Sequence, residues 1–384
     1  MTAANPSTSQ NLPTEAERLS RQRQAVLLVS RVWAWVFLVV LIIFFTVTIS
    51  VSSGGDVNFL SLRNSQNILM AITPVLLMGL GQTFVIIAAG VDLSVGWMMG
   101  LSSVVSALII ADLTAARGVA EIPAILIGFV VGILVTMFLG FISGTIIARL
   151  RTPPFIVTLG MSFIARGIAF LLSGGNSVIG QPPAVRTFGN EALLYVVSGE
   201  GGGIFFLQRP DVTGEVLQRL DRVFQWPVVV TAIVFLIALF VLHRTQYGRH
   251  TFAIGGSREA ALRAGVPVDR HVIMLYMLSA GTAGLAGILH TARFNAGSPI
   301  AGDPLLLSSI AAVIIGGVSM FGGHGTVAGT VIGALIIAVL TTGLVMLNVQ
   351  PFWQFIVVGI VVILAVLIDQ ARDLIIGRME AGQG

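Results

Sequence analysis

Asp92 and Arg166 lie inside long apolar runs of a 384-residue chain. A charge inside a bilayer is expensive unless paired or hydrated, so each is a candidate to line or gate a path across a membrane. Asp92 and the neighbouring Ser94 stand in Gly90-Val-Asp-Leu-Ser-Val-Gly96, where flanking glycines predict a broken helix. Arg166 is about 11 residues into its run, ~16 Å deep at ~1.5 Å per residue. The competing reading of both is structural: an ion pair, or a cap that holds the broken helix. Phe294 and Asn295 precede the turn Ala296-Gly297-Ser298 and join an apolar face to amide and backbone hydrogen-bonding groups. That mixture suits the path of a hydroxylated solute, and equally a tight turn that fills space. His290 and His324 have no cysteine or carboxylate at ligand spacing, so no metal site is expected. The chain has no cysteine, and all 21 of its basic residues are arginine. This excludes disulfides, thiolate chemistry, Schiff bases and the phosphate-binding P-loop, which needs a lysine. No glycine-flanked serine has a convincing histidine partner, so an intramembrane hydrolase is disfavoured. The chain is expected to hold no catalytic residue and no cofactor.

The elements that position these residues are membrane spans. Hydrophobic residues make up 55% of the chain and charged residues 10%, against about 25% charged in a soluble domain. Mean hydropathy is +0.96 and the isoelectric point about 10.5. The arginines sit beside apolar runs instead of clustering on a polar surface, so no nucleic-acid partner is inferred. Apolar runs of about the ~20 residues that span a bilayer fall at 32–51, 67–89, 91–111, 122–148, 155–173, 226–243, 271–290, 304–321, 325–347 and 353–370. The fold expected is all-α: a polytopic membrane protein of about ten transmembrane helices in one domain, 25–384, behind a flexible tail, 1–24. Arg18, Arg21, Arg23, Arg31, Arg149, Arg151, Arg244, Arg249, Arg258, Arg263, Arg270, Arg372 and Arg378 share one face of this topology. The positive-inside rule makes that face, with both termini, cytoplasmic. The longest connection, 174–225, is then external, with a short amphipathic helix expected around Glu215 to Phe224; it is a docking surface or a tolerated insertion.

The two halves share patterns. Ala-Gly, a central glycine and Leu-Ser-Ser recur between 89–103 and 296–309, with a one-residue slip. Gly140-x-x-x-Gly144-x-Ile-Ile-Ala is matched by Gly329-x-x-x-Gly333-x-Leu-Ile-Ile-Ala, and Pro-Phe follows each. The matched segments start on opposite sides of the predicted topology, so the repeat is inverted, as in many transporters. Gly79, Gly81, Gly140 and Gly144 are expected to permit close helix packing.

The loop 244–270 carries the most informative polar segment, Ser257-Arg258-Glu259-Ala260-Ala261-Leu262-Arg263-Ala264-Gly265-Val266-Pro267. Ser257 suits the N-cap, Glu259 the first turn, Gly265 the left-handed C′ position and Pro267 the stop. A helix this short is marginal in water and calls for a partner surface. Glu259-Ala260-Ala261-x-x-x-Gly265 resembles the coupling-loop pattern of ABC importer permeases. Gly90-Val-Asp-Leu-Ser-Val-Gly96, Thr152-Pro153-Pro154-Phe155-Ile-Val-Thr-Leu-Gly160, Arg166-Gly167, Gly316-Gly317-Val318-Ser319 and Gly322-Gly323 resemble the permeases for ribose, xylose, galactose and related sugars, in the same order from about 67 to 370. That family implies a bacterial inner-membrane protein paired with a second permease chain, identical or sister, in a lipid bilayer. It also implies a cytoplasmic ABC ATPase that holds ATP and magnesium and docks on Ser257, Arg258, Glu259, Ala260, Ala261 and Gly265. An extracytoplasmic sugar-binding protein would deliver the solute. Spans and coupling loop together resemble the vitamin B12-type permease architecture. Other small polar solutes (a nucleoside, an autoinducer, a branched-chain amino acid) are alternatives, as is an ion-coupled secondary transporter; the latter would need no docking helix and should bury more carboxylates.

Overall fold

The computed structural model describes residues 15–199, 202–214, 216, 219–350, 352–361, 363–364 and 367, with side chains from residue 33 onward. Among the described residues, eight helices are long and apolar enough to cross a membrane. They are α1 (Glu15–Ser52), α2 (Leu62–Ile87), α3 (Val95–Ala111, continued by a π turn), α4 (Glu121–Arg149), α5 (Pro154–Ser173), α7 (Trp226–Arg244), α10 (Val268–Phe294) and α12 (Val327–Met346). The two other expected spans are shorter apolar helices. The run 304–321 is not continuous: a 3₁₀ turn, Asp303–Leu305, leads into α11 (Leu306–Ile315), which ends at Gly316. Beyond it Gly317, Gly322 and Gly323 take positive φ, which breaks the helix where hydropathy alone reads on. The described part of the tenth expected run is α13 (Phe352–Val361). α1 takes in residues 15–24, where Glu, Ala, Arg, Leu and Gln are strong helix formers. Residues 1–14 lie outside the described residues.

The expectation of an all-α chain fails in the connection 174–225. It holds a short helix α6 (Pro183–Asn190) and a three-stranded antiparallel sheet in the order β2-β1-β3, formed by β1 (Ala192–Val197), β2 (Gly203–Phe206) and β3 (Leu220–Gln225). The central strand, Ala-Leu-Leu-Tyr-Val-Val, is rich in β-branched and aromatic residues. β3 replaces the second half of the amphipathic helix expected at 215–224, because Leu220 and Val223 are buried where Leu194 and Val197 pair with them. The sheet is tied to α2 by the Arg63–Asp221 ion pair, 3.4 Å, and by the Phe224 amide donating to Gln66 Oε1, 3.1 Å.

α2 and α10 form the buried centre and α1, α4, α5 and α7 the periphery. α2 packs on α11 and α12, while α10 packs on α3 and α4; α3 packs on α4, and α11 on α12. Gly96 and Gly302 meet where these groups touch: a Cβ on either would strike the other's carbonyl oxygen. Gly140 and Gly144 let α4 lie against the backbone of α10 at Tyr276 and Ile273, and Gly79 and Gly81 face Thr330 and Ser279, as the sequence leads one to expect. Pro74 sits inside α2 and gives the Met70 carbonyl no helical donor. Arg293 Nη1 supplies one from α10, at 3.4 Å.

Candidate functional site

The break between α2 and α3 is built around Asp92. Ala89 takes φ 59° and the chain runs non-helical to Ser94. Asp92 is 1% exposed. One carboxylate oxygen accepts from the Ser94 amide (2.9 Å) and hydroxyl (2.6 Å), and the other from the Ser279 hydroxyl of α10 (2.7 Å). Three donors satisfy the carboxylate without a cation, so Asp92 fastens the broken helix to the central helix α10. Arg166 is not its partner. It lies on the exposed face of α5, its guanidinium 4.7 Å from the Trp97 ring centroid and 5.7 Å from that of Phe170. No ion pair to it occurs among the described residues, so the ion-pair reading of these two charges does not hold.

Phe294 and Asn295 close α10 at its other end, about 15 residues or ~22 Å from Ser279. The Phe294 ring lies against His290, centroids 4.6 Å apart, with the Arg293 guanidinium 5.3 Å from its centroid, and is 59% exposed. Asn295 takes φ 55° and donates from Nδ2 to the Gln181 carbonyl (3.4 Å), while its Oδ1 is buried without a partner among the described residues. Gly297 and Val178 exchange backbone hydrogen bonds (2.7 and 2.9 Å), which clasps the 174–225 segment onto this turn. The five candidate path residues therefore fall in three places: Asp92 with Ser94, Arg166, and Phe294 with Asn295.

The segment from Gln246 to Val266 folds as its sequence dictates. α8 (Gln246–Gly256) leads into α9 (Arg258–Arg263). Ser257 Oγ accepts from the Ala260 amide at 3.2 Å, and Gly265 takes φ 80°. The Val266 amide donates to Ala261 and the Gly265 amide to Leu262, both at 3.0 Å, which is the Schellman closure. Glu259 pairs with Arg263 at 2.6 Å and Arg258 with Asp269 at 3.4 Å. Ala261 alone of α9 is buried; Leu262, Glu259 and Arg263 face outward.

Sequence reasoning missed the contact behind this helix. Gly255 closes α8 against the end of α2: a Cβ there would strike the Ile87 carbonyl and stand 2.6 Å from the Gly323 amide, which donates to that same carbonyl at 2.8 Å. The paired glycines 255–256 and 322–323 are visible in the sequence, but nothing in it says that they meet. Thr251 and His271 join α8 to α10 at 2.8 Å, with Tyr247 stacked on His271, centroids 4.3 Å apart. Burial pushes the Tyr247 phenol well above its ordinary range. Ser279, the partner of Asp92, had no sequence signal.

The family model described as branched-chain amino acid transport system / permease component matches residues 64–366. The fructose import permease protein of Rhizobium meliloti is 37% identical, over 83% of this chain and 80% of that protein. The ribose import permease protein of Escherichia coli K12 is 34% identical over 88% and 96%. The xylose transport system permease protein of Haemophilus influenzae is 34% identical over 84% and 92%. No solved structure matches the chain.

Proposed function

The chain belongs to the branched-chain amino acid transport system / permease component family, and on that premise we propose that it is the membrane-spanning permease subunit of an ATP-driven ABC importer for a sugar. The observation that carries this reading is α9: capped at both ends, seated through Ala261 and exposed elsewhere, it begins three residues beyond Gly255, the glycine that meets the end of broken helix α2. A separate ATPase that holds ATP and magnesium docks there through Ser257, Arg258, Glu259, Ala260, Ala261 and Gly265. Its closure moves α9, and the Gly255 contact passes the motion to Ile87 and the Asp92 break. A sugar-binding protein delivers solute on the opposite side of a bacterial inner membrane, and both termini are cytoplasmic by the arginine bias. The matching fructose, ribose and xylose permeases favour sugar over the other polar solutes.

The packing supports a finer architecture. Exchanging α2 with α10, α3 with α11 and α4 with α12 maps the observed helix contacts onto one another, and the Gly96–Gly302 contact is reciprocal, as an axis between two inverted repeats requires. This supports ten membrane-inserted helices in a vitamin B12-permease-like arrangement. Arg166 supports a second permease chain: an arginine on an outward face inside a span costs about 2.5–3.5 kcal/mol against lipid, so that face is covered by another chain or by a hydrated path. Asp92 with Ser94, Arg166, and Phe294 with Asn295 are the three places where a path or gate is to be tested.

Reconstitution tests the proposal. Proteoliposomes containing the chain, its ATPase and the binding protein should take up ribose, fructose, xylose or allose, the last named for a related D-allose transport system permease protein of Escherichia coli K12, only with ATP on the docking side. Uptake that persists without the ATPase and collapses with an ion gradient would instead establish a secondary transporter.

A further inference from the structure

Between the docking segment and the break after α2 lies a cavity of about 360 Å³, within the ~300–1,000 Å³ common for small-molecule sites. Its walls combine apolar side chains such as Ile147 and Ile254 with Tyr276, Arg258 and the main chain around Gly90 and Ser257. Tyr276 is 2% exposed. Its hydroxyl has no hydrogen-bond partner among the described residues, and it lies beside Gly90, where a Cβ would stand 2.7 Å from it. That leaves a donor and acceptor unsatisfied beside the cavity, within reach of a hydrogen-bonding ligand once Tyr276 and Gly90 part. The charge on the wall is already engaged, since Arg258 donates to the Ala148 carbonyl (3.3 Å) and pairs with Asp269 (3.4 Å). No carboxylate lines the cavity among the described residues. A wall with one already partnered arginine and no carboxylate suits a neutral solute.

We propose that this cavity is a second solute site, on the docking-helix side of the permease, for a neutral polyhydroxylated molecule of monosaccharide size. The identity of that solute rests on the sugar-import reading. A molecule held there touches both the 254–258 joint and the 88–90 break. Its occupancy fixes their spacing and slows any cycle in which they move.

The test uses the permease–ATPase complex in lipid nanodiscs, without the binding protein, titrated with ribose, fructose, xylose and allose and read by saturation-transfer difference NMR. The sugar that the complex imports in proteoliposomes should give a saturable signal and lower ATP turnover as it binds. Gly256 lines the cavity, and a Cβ there meets nothing within 4 Å; Gly256→Leu should therefore abolish the signal and Gly256→Ala retain it. Tyr276→Phe should weaken binding roughly three- to tenfold, the worth of one neutral hydrogen bond. An importing complex without a saturable signal, or with one that neither Gly256→Leu nor Tyr276→Phe changes, overturns the site. A complex that imports none of the four sugars overturns the sugar reading itself, and the uptake assay tells the two failures apart.

Discussion

Replacing Asp92 with alanine removes the one acceptor shared by the Ser94 amide, the Ser94 hydroxyl and the Ser279 hydroxyl. A hydrogen bond to a charged group contributes about 1.5–3 kcal/mol. The two hydroxyls can rotate toward backbone carbonyls and the amide cannot, so the expected loss is about 3–5 kcal/mol, short of the full sum. Asp92→Asn keeps one oxygen for Ser94 and presents an NH₂ that Ser279 can accept, for a loss of about 1–2 kcal/mol. Ser279→Ala alone should remove about 1.5–3 kcal/mol, and the double variant with Asp92→Ala little more than Asp92→Ala itself, a coupling of similar size. Reversible SDS titration of the permease in mixed micelles measures all four. If the two substitutions add to within about 0.5 kcal/mol, or if Asn is as damaging as Ala, the fastening role assigned to this carboxylate is wrong. Uptake measured on stable Asp92→Asn decides the rest, because loss of transport without loss of stability marks a path or gate residue.

The remaining expectations concern the docking side and the far end of α2. Gly255→Ala drives a methyl into the Ile87 carbonyl and the Gly323 amide; it should destabilise by about 1–3 kcal/mol and depress uptake while ATPase binding in pull-downs survives. Glu259→Ala breaks an exposed i,i+4 pair with Arg263, worth about 0.3–0.5 kcal/mol, so the melting temperature should hardly move; a fall in ATPase affinity of roughly tenfold would then report a docking contact. Gly265→Ala forces φ 80° on a residue with a Cβ, and α9 amides should exchange faster by an amount equivalent to about 1 kcal/mol. Arg293→Met leaves the Met70 carbonyl beside Pro74 without its donor and should destabilise by about 1–3 kcal/mol in the same SDS titration.

Legibility in the sequence tracked how local each determinant is. The eight continuous spans announce themselves through uninterrupted apolar length, and α9 through caps written within eleven residues. The run 304–321 deceived because Val318, Met320 and Phe321 keep the hydropathy high through glycines whose positive φ ends the helix. The sheet was missed because its strands are four to six residues long and are specified by one another across loops. Asp92 was visible as a charge at a break, but its dependence on Ser279 spans 187 positions of sequence. Tyr276 and the meeting of Gly255 with Gly323 are likewise products of packing that no local pattern encodes.

α2 gives the molecule a mechanical axis. Its first turns hold the sheet through Arg63 and Gln66, and its last carbonyl, Ile87, bears on the joint between α8 and α9 through Gly323 and Gly255. Between those ends runs a single 26-residue helix, ~39 Å of rod. Its compliant point is Pro74, and Arg293 braces the helix there like a strut. A push on the sheet thus arrives at the opposite end as displacement instead of being absorbed by a loop. Stiffness at one proline then sets how faithfully the two faces of the molecule feel each other.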